Sequence, residues 1–526
     1  MKGRKLWLIT FLALALISCS EDKDKDKGGD KEFHISSFQP DDGLIDWDVD
    51  AQNQGLRIVD EEGQPIAGAS VLLGNEIDSP FKGNQILSDE DGYVAIPKSW
   101  TTDLPVTIEA PGYIRMTYTR VEPADQDLQL HKQEGKDFIE VKGITTDYGR
   151  LRSDGYIDFS LIIPAFTQRS MINFDISSVI SPVSDTISVA GQKFDLPSNI
   201  SLPHQRESYI IPITFEKPEY RAFIRNPGFY KMFATHGRFP FKNVVDELRA
   251  GSSIFEVINM FDFKGGGQKD LQINKSVDKQ DISIRQIAFD QSVQVKAPTF
   301  NNDLEMISLA LVNQGGYFYP ADLKRVKPGQ EMTLKYPASA TDSYLLSALV
   351  HKDAVPANSK DKFSQEEIID LRSFFTLPSY EMNPLNNSRI QTAGLSLSLS
   401  FEKGDNNDPV SFIDFVDAPI INGNTMTLDV PQIHGEISPM ATYVTFSEVE
   451  TLGTGKVQSE KKTRIWEFIA GGWQQQIQIP QLNIDTDANK SYRWEVLFLG
   501  RKGNSPATGG YLLDGITHVS RSSYNF

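Results

Sequence analysis

One thiol stands alone in this chain. Cys19 is the single cysteine among 526 residues, and it follows closely on an apolar run, Leu6 to Ile17, broken only by Thr10. A thiolate is a strong nucleophile, so the end of this run is the first place to look for a covalent event. With no second cysteine there is no intrachain disulfide, and packing must hold the folded parts together. The histidines offer less. His34, His131, His204, His236, His351, His434 and His518 do not pair at metal-ligand spacing, and no His-Glu-x-x-His run occurs, so no zinc site is expected. A Gly-x-Ser-x-Gly elbow is absent too. Paired carboxylates for glycoside hydrolysis are not identifiable by spacing among so many acids.

Two further stretches invite a chemical reading. Asp485-Thr486-Asp487-Ala488-Asn489 sets oxygen ligands at alternate positions, as calcium loops do. Lys490 stands where such a loop wants glycine and Val496 where it wants a bidentate acid, so Asp485, Asp487 and Asn489 are expected to form a solvated turn. Gly265-Gly266-Gly267-Gln268 lacks the Gly-Lys-Ser/Thr ending of a phosphate loop and is expected to stop a helix. No metal and no cofactor is assigned.

Lys2, Arg4 and Lys5 precede the apolar run, which is shorter than the about 20 residues needed to span a bilayer. It ends in Leu16-Ile17-Ser18-Cys19, which resembles a bacterial lipobox. The resemblance implies that residues 1–18 are a signal peptide and that the Cys19 thiol receives a diacylglyceryl group. The chain is then cut before Cys19, whose freed amine is acylated. Each buried methylene contributes about 0.8 kcal/mol; one acyl chain anchors marginally, two or three stably. Residues 19–50 read as a tether, because Glu21 to Asp30 holds nothing apolar to bury. Acid soon after the lipidated cysteine resembles the surface-export signal of Bacteroidetes lipoproteins, and Ser20 lacks the aspartate of the inner-membrane retention signal. The expected location is the outer membrane of a Gram-negative bacterium, on its surface or periplasmic face.

Composition bounds the rest. Hydrophobic residues make up 39% of the chain, enough to build real cores. Losing Lys2, Arg4 and Lys5 with the signal takes the formal charge from −18 to −21, which argues against nucleic acid and against electrostatic attraction to anionic lipid.

The expected fold class is mainly β: several β-sandwiches with a small helical insertion. In 51–132, Leu56-Arg57-Ile58-Val59, Pro65 to Leu73, Ser88 to Ile96 and Val106 to Tyr113 alternate strands with acidic Gly turns. This order resembles the carboxypeptidase regulatory-like domain, a small transthyretin-like sandwich. The resemblance implies a self-contained structural or interaction module with no catalytic residues to carry over. Residues 136–300 read as β-rich, with helix over Phe241 to Phe263: Val244, Val245 and Leu248 share a face, and Ser253-x-x-Glu256 is a capping box. Residues 301–385 form a small β unit with a helix near 364–375, and 378–388 is a linker. Over 386–526 closely spaced strands suggest an immunoglobulin or fibronectin-type sandwich, with Tyr492, Trp494, Val496 and Phe498 on one face. Gly471-Gly472 is expected to close a hairpin that sets Trp466 opposite Ile477.

The reading is of a lipid-anchored envelope protein that binds or scaffolds, with protein or glycan as partner, and not of an enzyme. The alternative is an exported hydrolase with its catalytic domain in 136–300. A Ser-His pair or a cleft of carboxylates favours the enzyme; flat faces with exposed aromatics favour binding.

Overall fold

The computed structural model describes residues 55–75, 86–97, 99–135, 139–149, 154–166, 184–189, 192–197, 200–201, 219–250, 252, 254–314, 317–338, 343–351, 397–403, 408–433, 436–452, 459–482, 486–487, 489–503 and 515–525. Cys19, the tether, the helix expected near 364–375 and the 378–388 linker lie outside these residues.

The first unit has seven strands: β1 (Leu56–Val59), β2 (Ser70–Leu73), β3 (Ile86–Leu87), β4 (Tyr93–Val94), β5 (Leu104–Glu109), β6 (Arg115–Val121) and β7 (Gln126–Gln129). Two acidic turns of the same pattern shape it. In Asp60-Glu61-Glu62-Gly63 the Asp60 carboxylate accepts from the Glu62 and Gln64 amides, each at 2.9 Å, and Gly63 takes φ 77°. In Asp89-Glu90-Asp91-Gly92, Asp89 accepts from Asp91 and Tyr93 at 3.0 and 2.8 Å, and Gly92 takes φ 81°. Short acids that bind their own backbone, followed by a residue free to adopt positive φ, make such turns. One layer runs β4-β1-β7 and the other β3-β2-β5-β6, with Leu56, Ile58, Val71, Val106, Ile108, Met116 and Leu130 buried between them.

The second unit comprises β8 (Ile139–Thr146), β9 (Tyr156–Pro164), β10 (Ser184–Val189), β11 (Gln192–Pro197), β12 (Ile200–Ser201), β13 (Glu219–Ile224), β14 (Gly228–Pro240), α1 (Phe241–Arg249), α2 (Ile254–Val257), a 3-10 turn (Ile258–Met260), β15 (Asp262–Ile273), β16 (Ile282–Ser283) and β17 (Ile287–Ala288). Its sheet β12-β9-β14-β15-β17 packs on β13-β8-β16 through Ile162, Tyr220, Met232, Ala234, Ile273 and Ile282. The helical insertion is present with Val244 buried, but it ends at Met260, and Phe263, expected in the helix, lies in β15; Ser253 of the expected capping box lies outside the described residues.

Gly265-Gly266-Gly267 is not a helix stop. All three lie inside β15, paired with Ala234, Thr235 and His236 of β14. A side chain has no room there: a Cβ would stand 2.5 Å from the Ile287 carbonyl oxygen at Gly265, 2.5 Å from the Phe233 ring at Gly266 and 1.7 Å from the Ser283 carbonyl oxygen at Gly267. The glycines mark close approach of neighbouring backbone and ring.

The last unit contains β18 (Gln291–Lys296), β19 (Leu304–Gln314), β20 (Tyr317–Val326), β21 (Glu331–Tyr336), β22 (Ser343–His351), β23 (Leu397–Lys403), β24 (Ile420–Asn422), β25 (Thr425–Thr427), β26 (Ile437–Leu452), β27 (Ser459–Gly471), β28 (Gln476–Gln478), β29 (Ser491–Lys502) and β30 (His518–Asn525). A twelve-stranded sheet, β20-β19-β22-β23-β30-β29-β26-β27-β6-β5-β2-β3, joins it to the first unit. The boundaries drawn near 132 and 386 therefore separate strands of one continuous sheet. Tyr492, Trp494, Val496 and Phe498 do share a face, with Phe446, Trp466 and Phe468, covered by Met426 and Ile477 of the small sheet β24-β25-β28.

The hairpin at Gly471-Gly472 does not form. Both edges of β27 are already taken, by β26 and by β6, so Trp466 lies opposite Phe446 and Arg115. Gly472 does take φ 68°, but it turns the chain off the sheet, and Ile477 pairs with Met426 instead.

Gly267→Ala should lower stability by about 1–3 kcal/mol or more through forced displacement of the Ser283 backbone. Gly471→Ala, with open space around its Cβ position, should stay within about 0.5 kcal/mol. Urea unfolding of the two variants checks the difference.

Candidate functional site

A dense polar site lies where β6 meets β27. Residues three apart on a strand ordinarily point to opposite faces. The register of β27 against β26 shifts between Phe446 and Ser447 of β26, so Trp466 faces Phe446 and Arg464 faces Ser447, with Ile465 of β27 as the extra residue. This bulge brings Arg464 and Glu467 to the same face, where Arg464 Nη1 meets Glu467 Oε1 at 2.6 Å. Glu467 is fully buried, and its other oxygen lies 2.5 Å from His131 Nδ1. Arg464 also donates from Nε to Glu134 Oε1 at 2.5 Å and from its backbone amide to Glu134 Oε2 at 2.9 Å. His131 and Glu134 close the first unit, so the cluster ties it to the last.

Burial pushes the Glu467 carboxyl up, but His131 and Arg464 outweigh it and hold its pKa at about 2. Burial likewise disfavours the Arg464 charge, and the two glutamates overturn that too, raising its pKa. Burial, with Glu467 beside it, keeps the Tyr443 phenol neutral far above its usual range. The opposite face of the joint is aromatic: Trp466 Nε1 donates to Thr117 Oγ1 at 2.8 Å, and the Arg115 guanidinium sits 4.7 Å from the Trp466 ring. Two strands further on, Glu495 accepts from Lys462 at 2.7 Å and from Arg521; burial raises its pKa, and these cations lower it well below the usual range. The second unit reaches the same edge through Arg225, whose Nη1 donates to the Lys462 carbonyl at 2.5 Å.

A Ser-His pair is also present, at Ser411 and His518, with Oγ to Nε2 at 3.0 Å. It lies outside 136–300. His518 is fully buried and its Nδ1 meets the Thr517 hydroxyl at 2.7 Å, where a triad places a carboxylate. The pair belongs to a strap. Residues 408–417 cross the sheet with Val410, Ile413 and Val416 buried, and the Ser520 and Ser522 hydroxyls of β30 donate to the Asp414 and Asp417 carbonyls at 2.7 and 2.8 Å. The hydroxyls of β30 thus dock the strap by side chain.

Cys19 and Asp485 lie outside the described residues. Asp487 is turned inward on its own loop, accepting from the Asn489 backbone and side-chain amides at 2.9 Å each, while Lys490 pairs with Glu448 at 2.9 Å. Among the described residues no group of three His, Cys, Asp or Glu side chains is placed to hold a metal ion. Sequence reasoning missed the Glu467 cluster. His131 and Glu467 are 336 positions apart, and no local pattern announces their meeting.

No family model matches the chain, and no curated protein matches it. One solved structure, a tetra-tandem repeat in the extending region of a large adhesion protein, aligns over 87% of this chain and 91% of its own. Identity is 9% and the TM-score 0.08, so that likeness carries no argument.

Glu467→Gln should cost about 3–5 kcal/mol, because it leaves His131 and Arg464 facing a neutral amide in a dry site. His131→Phe with Glu467→Leu should cost less than the sum of the single changes. A carboxyl held at about 2, below its ordinary 4.5, contributes stability that is complete above pH 4.5 and is lost as pH falls through about 2. Urea unfolding from pH 6 to 2 should therefore show a flatter stability profile for Glu467→Gln than for wild type.

Proposed function

We propose that this chain is a lipid-anchored protein of the bacterial envelope that binds or scaffolds, with protein or glycan as its partner. The observation that carries the reading is the placement of the single cysteine, Cys19, after a basic start and an apolar run too short to span a bilayer. Among the described residues the first strand begins at Leu56, so the segment between could serve as a spacer of up to about 3.3–3.6 Å per residue. The architecture suits the role: the buried Glu467 cluster joins the first unit to the last through His131 and Arg464. The competing reading, a hydrolase in 136–300, draws no support from the Ser411–His518 pair, which lies elsewhere and is enclosed.

Radioactive palmitate fed to cells should label the wild-type protein and leave Cys19→Ser unlabelled. Equal labelling of both would mean the acylation argument is wrong. Capture from detergent-solubilised membranes, followed by identification of retained protein or glycan, tests the binding half separately.

A further inference from the structure

His236 occupies an unusual place in the second unit. It sits on β14 at a break in register with β15, between His236 and Gly237, and its cross-strand neighbours are Ser160 and Gly265. Bulges re-aim side chains and recur beside functional sites. Its Nε2 is buried and has no hydrogen-bond partner, a state few polar atoms in folded proteins keep. The Tyr148 ring meets the imidazole edge-on at 5.8 Å, but its hydroxyl is engaged elsewhere, by Thr145 and Ser160 at 2.7 Å each.

The charged groups near enough to act on the ring are Arg285, Lys264, Arg238 and Asp262. Arg238 is answered by Asp154 at 2.9 Å and Asp158 at 3.6 Å. Lys264 and Lys335 share the one carboxylate of Asp262, at 3.3 and 2.6 Å. Arg285 is exposed and, among the described residues, has neither ion pair nor hydrogen bond. It passes over Gly149, where a Cβ would stand 2.6 Å from its Nη2, so the glycine makes room for the guanidinium. Burial first, and these cations next, push His236 down to about 4. At neutral pH the ring is uncharged, and in the tautomer that carries its proton on Nε2 it offers an N–H there.

We propose that His236 Nε2 and the Arg285 guanidinium together bind a tetrahedral oxyanion, a sulfate or phosphate either free or esterified to a sugar, with Lys264 supplying a further positive charge. An unfilled donor, an unpaired planar fork and a lysine in excess of its acid match that ligand's geometry and charge. Nε2 is closed to water in this structure, so binding requires a neighbouring side chain to move and open it to the anion. The site deepens the binding reading above, but palmitate labelling and membrane capture stand whether or not it exists.

The full chain with ¹³C-labelled histidine provides the test, His236 being assigned by the signal lost in His236→Gln. Sodium sulfate, against sodium chloride at matched ionic strength, should shift that signal saturably. Arg285→Ala, at an exposed position, should weaken the apparent Kd about tenfold or more, the loss expected of one charge-assisted hydrogen bond. A monosaccharide sulfate ester in a third arm separates the sources: tighter binding than inorganic sulfate assigns the site to an ester, equal or weaker binding to the free anion. A His236 signal that fails to saturate, or that moves equally in Arg285→Ala, overturns the site.

Discussion

A carboxylate sealed from water has to be answered by the protein itself, and Glu467 is answered from both ends of the chain. His131 comes from the close of the first unit and Arg464 from the same strand as the acid. Neither partner can leave without stranding a buried charge, which costs several kcal/mol. The parallel pairing of Trp466 to Ile469 with Arg115 to Tyr118 runs through the same place. Side-chain charge and backbone ladder therefore hold the same joint, and the twelve-stranded sheet depends on it for continuity.

The joint shapes the rest of the architecture. Along β27 one face is aromatic, built on Trp466 and Phe468, and the other is charged near Glu467 before turning apolar at Ile469. The apolar part continues into the core of the first unit, so Leu56 and Tyr443 belong to one buried cluster. An anchor at Cys19 would pull on a unit that is sewn into the far end of the chain.

Much of the local structure was legible in the sequence. Period-two alternation identified the face shared by Tyr492, Trp494, Val496 and Phe498, and the acid-rich turns ending in Gly63 and Gly92 fell where a short acid and a positive φ work together. Long-range competition was not legible. The glycine pair at 471–472 carries the right turn chemistry, yet β6 and β26 had already claimed both edges of the strand before it. The glycines at 265–267 look like a breaker until the Ser283 and Ile287 backbones are seen pressed against them. For the candidate sites the gap is wider. The reading of Cys19 rests on local spacing, which a sequence displays directly. Glu467, His131 and the orphaned nitrogen of His236 acquire their character only from residues that the fold brings to them.

Hydrogen exchange under increasing urea tests the central claim most directly, that the first and last units share one cooperative sheet. Amides of Arg115 to Val121 and of Trp466 to Ala470 should open with the same free energy and the same urea dependence. Earlier opening of the first unit, with the β26, β27 and β29 amides still protected, would contradict it.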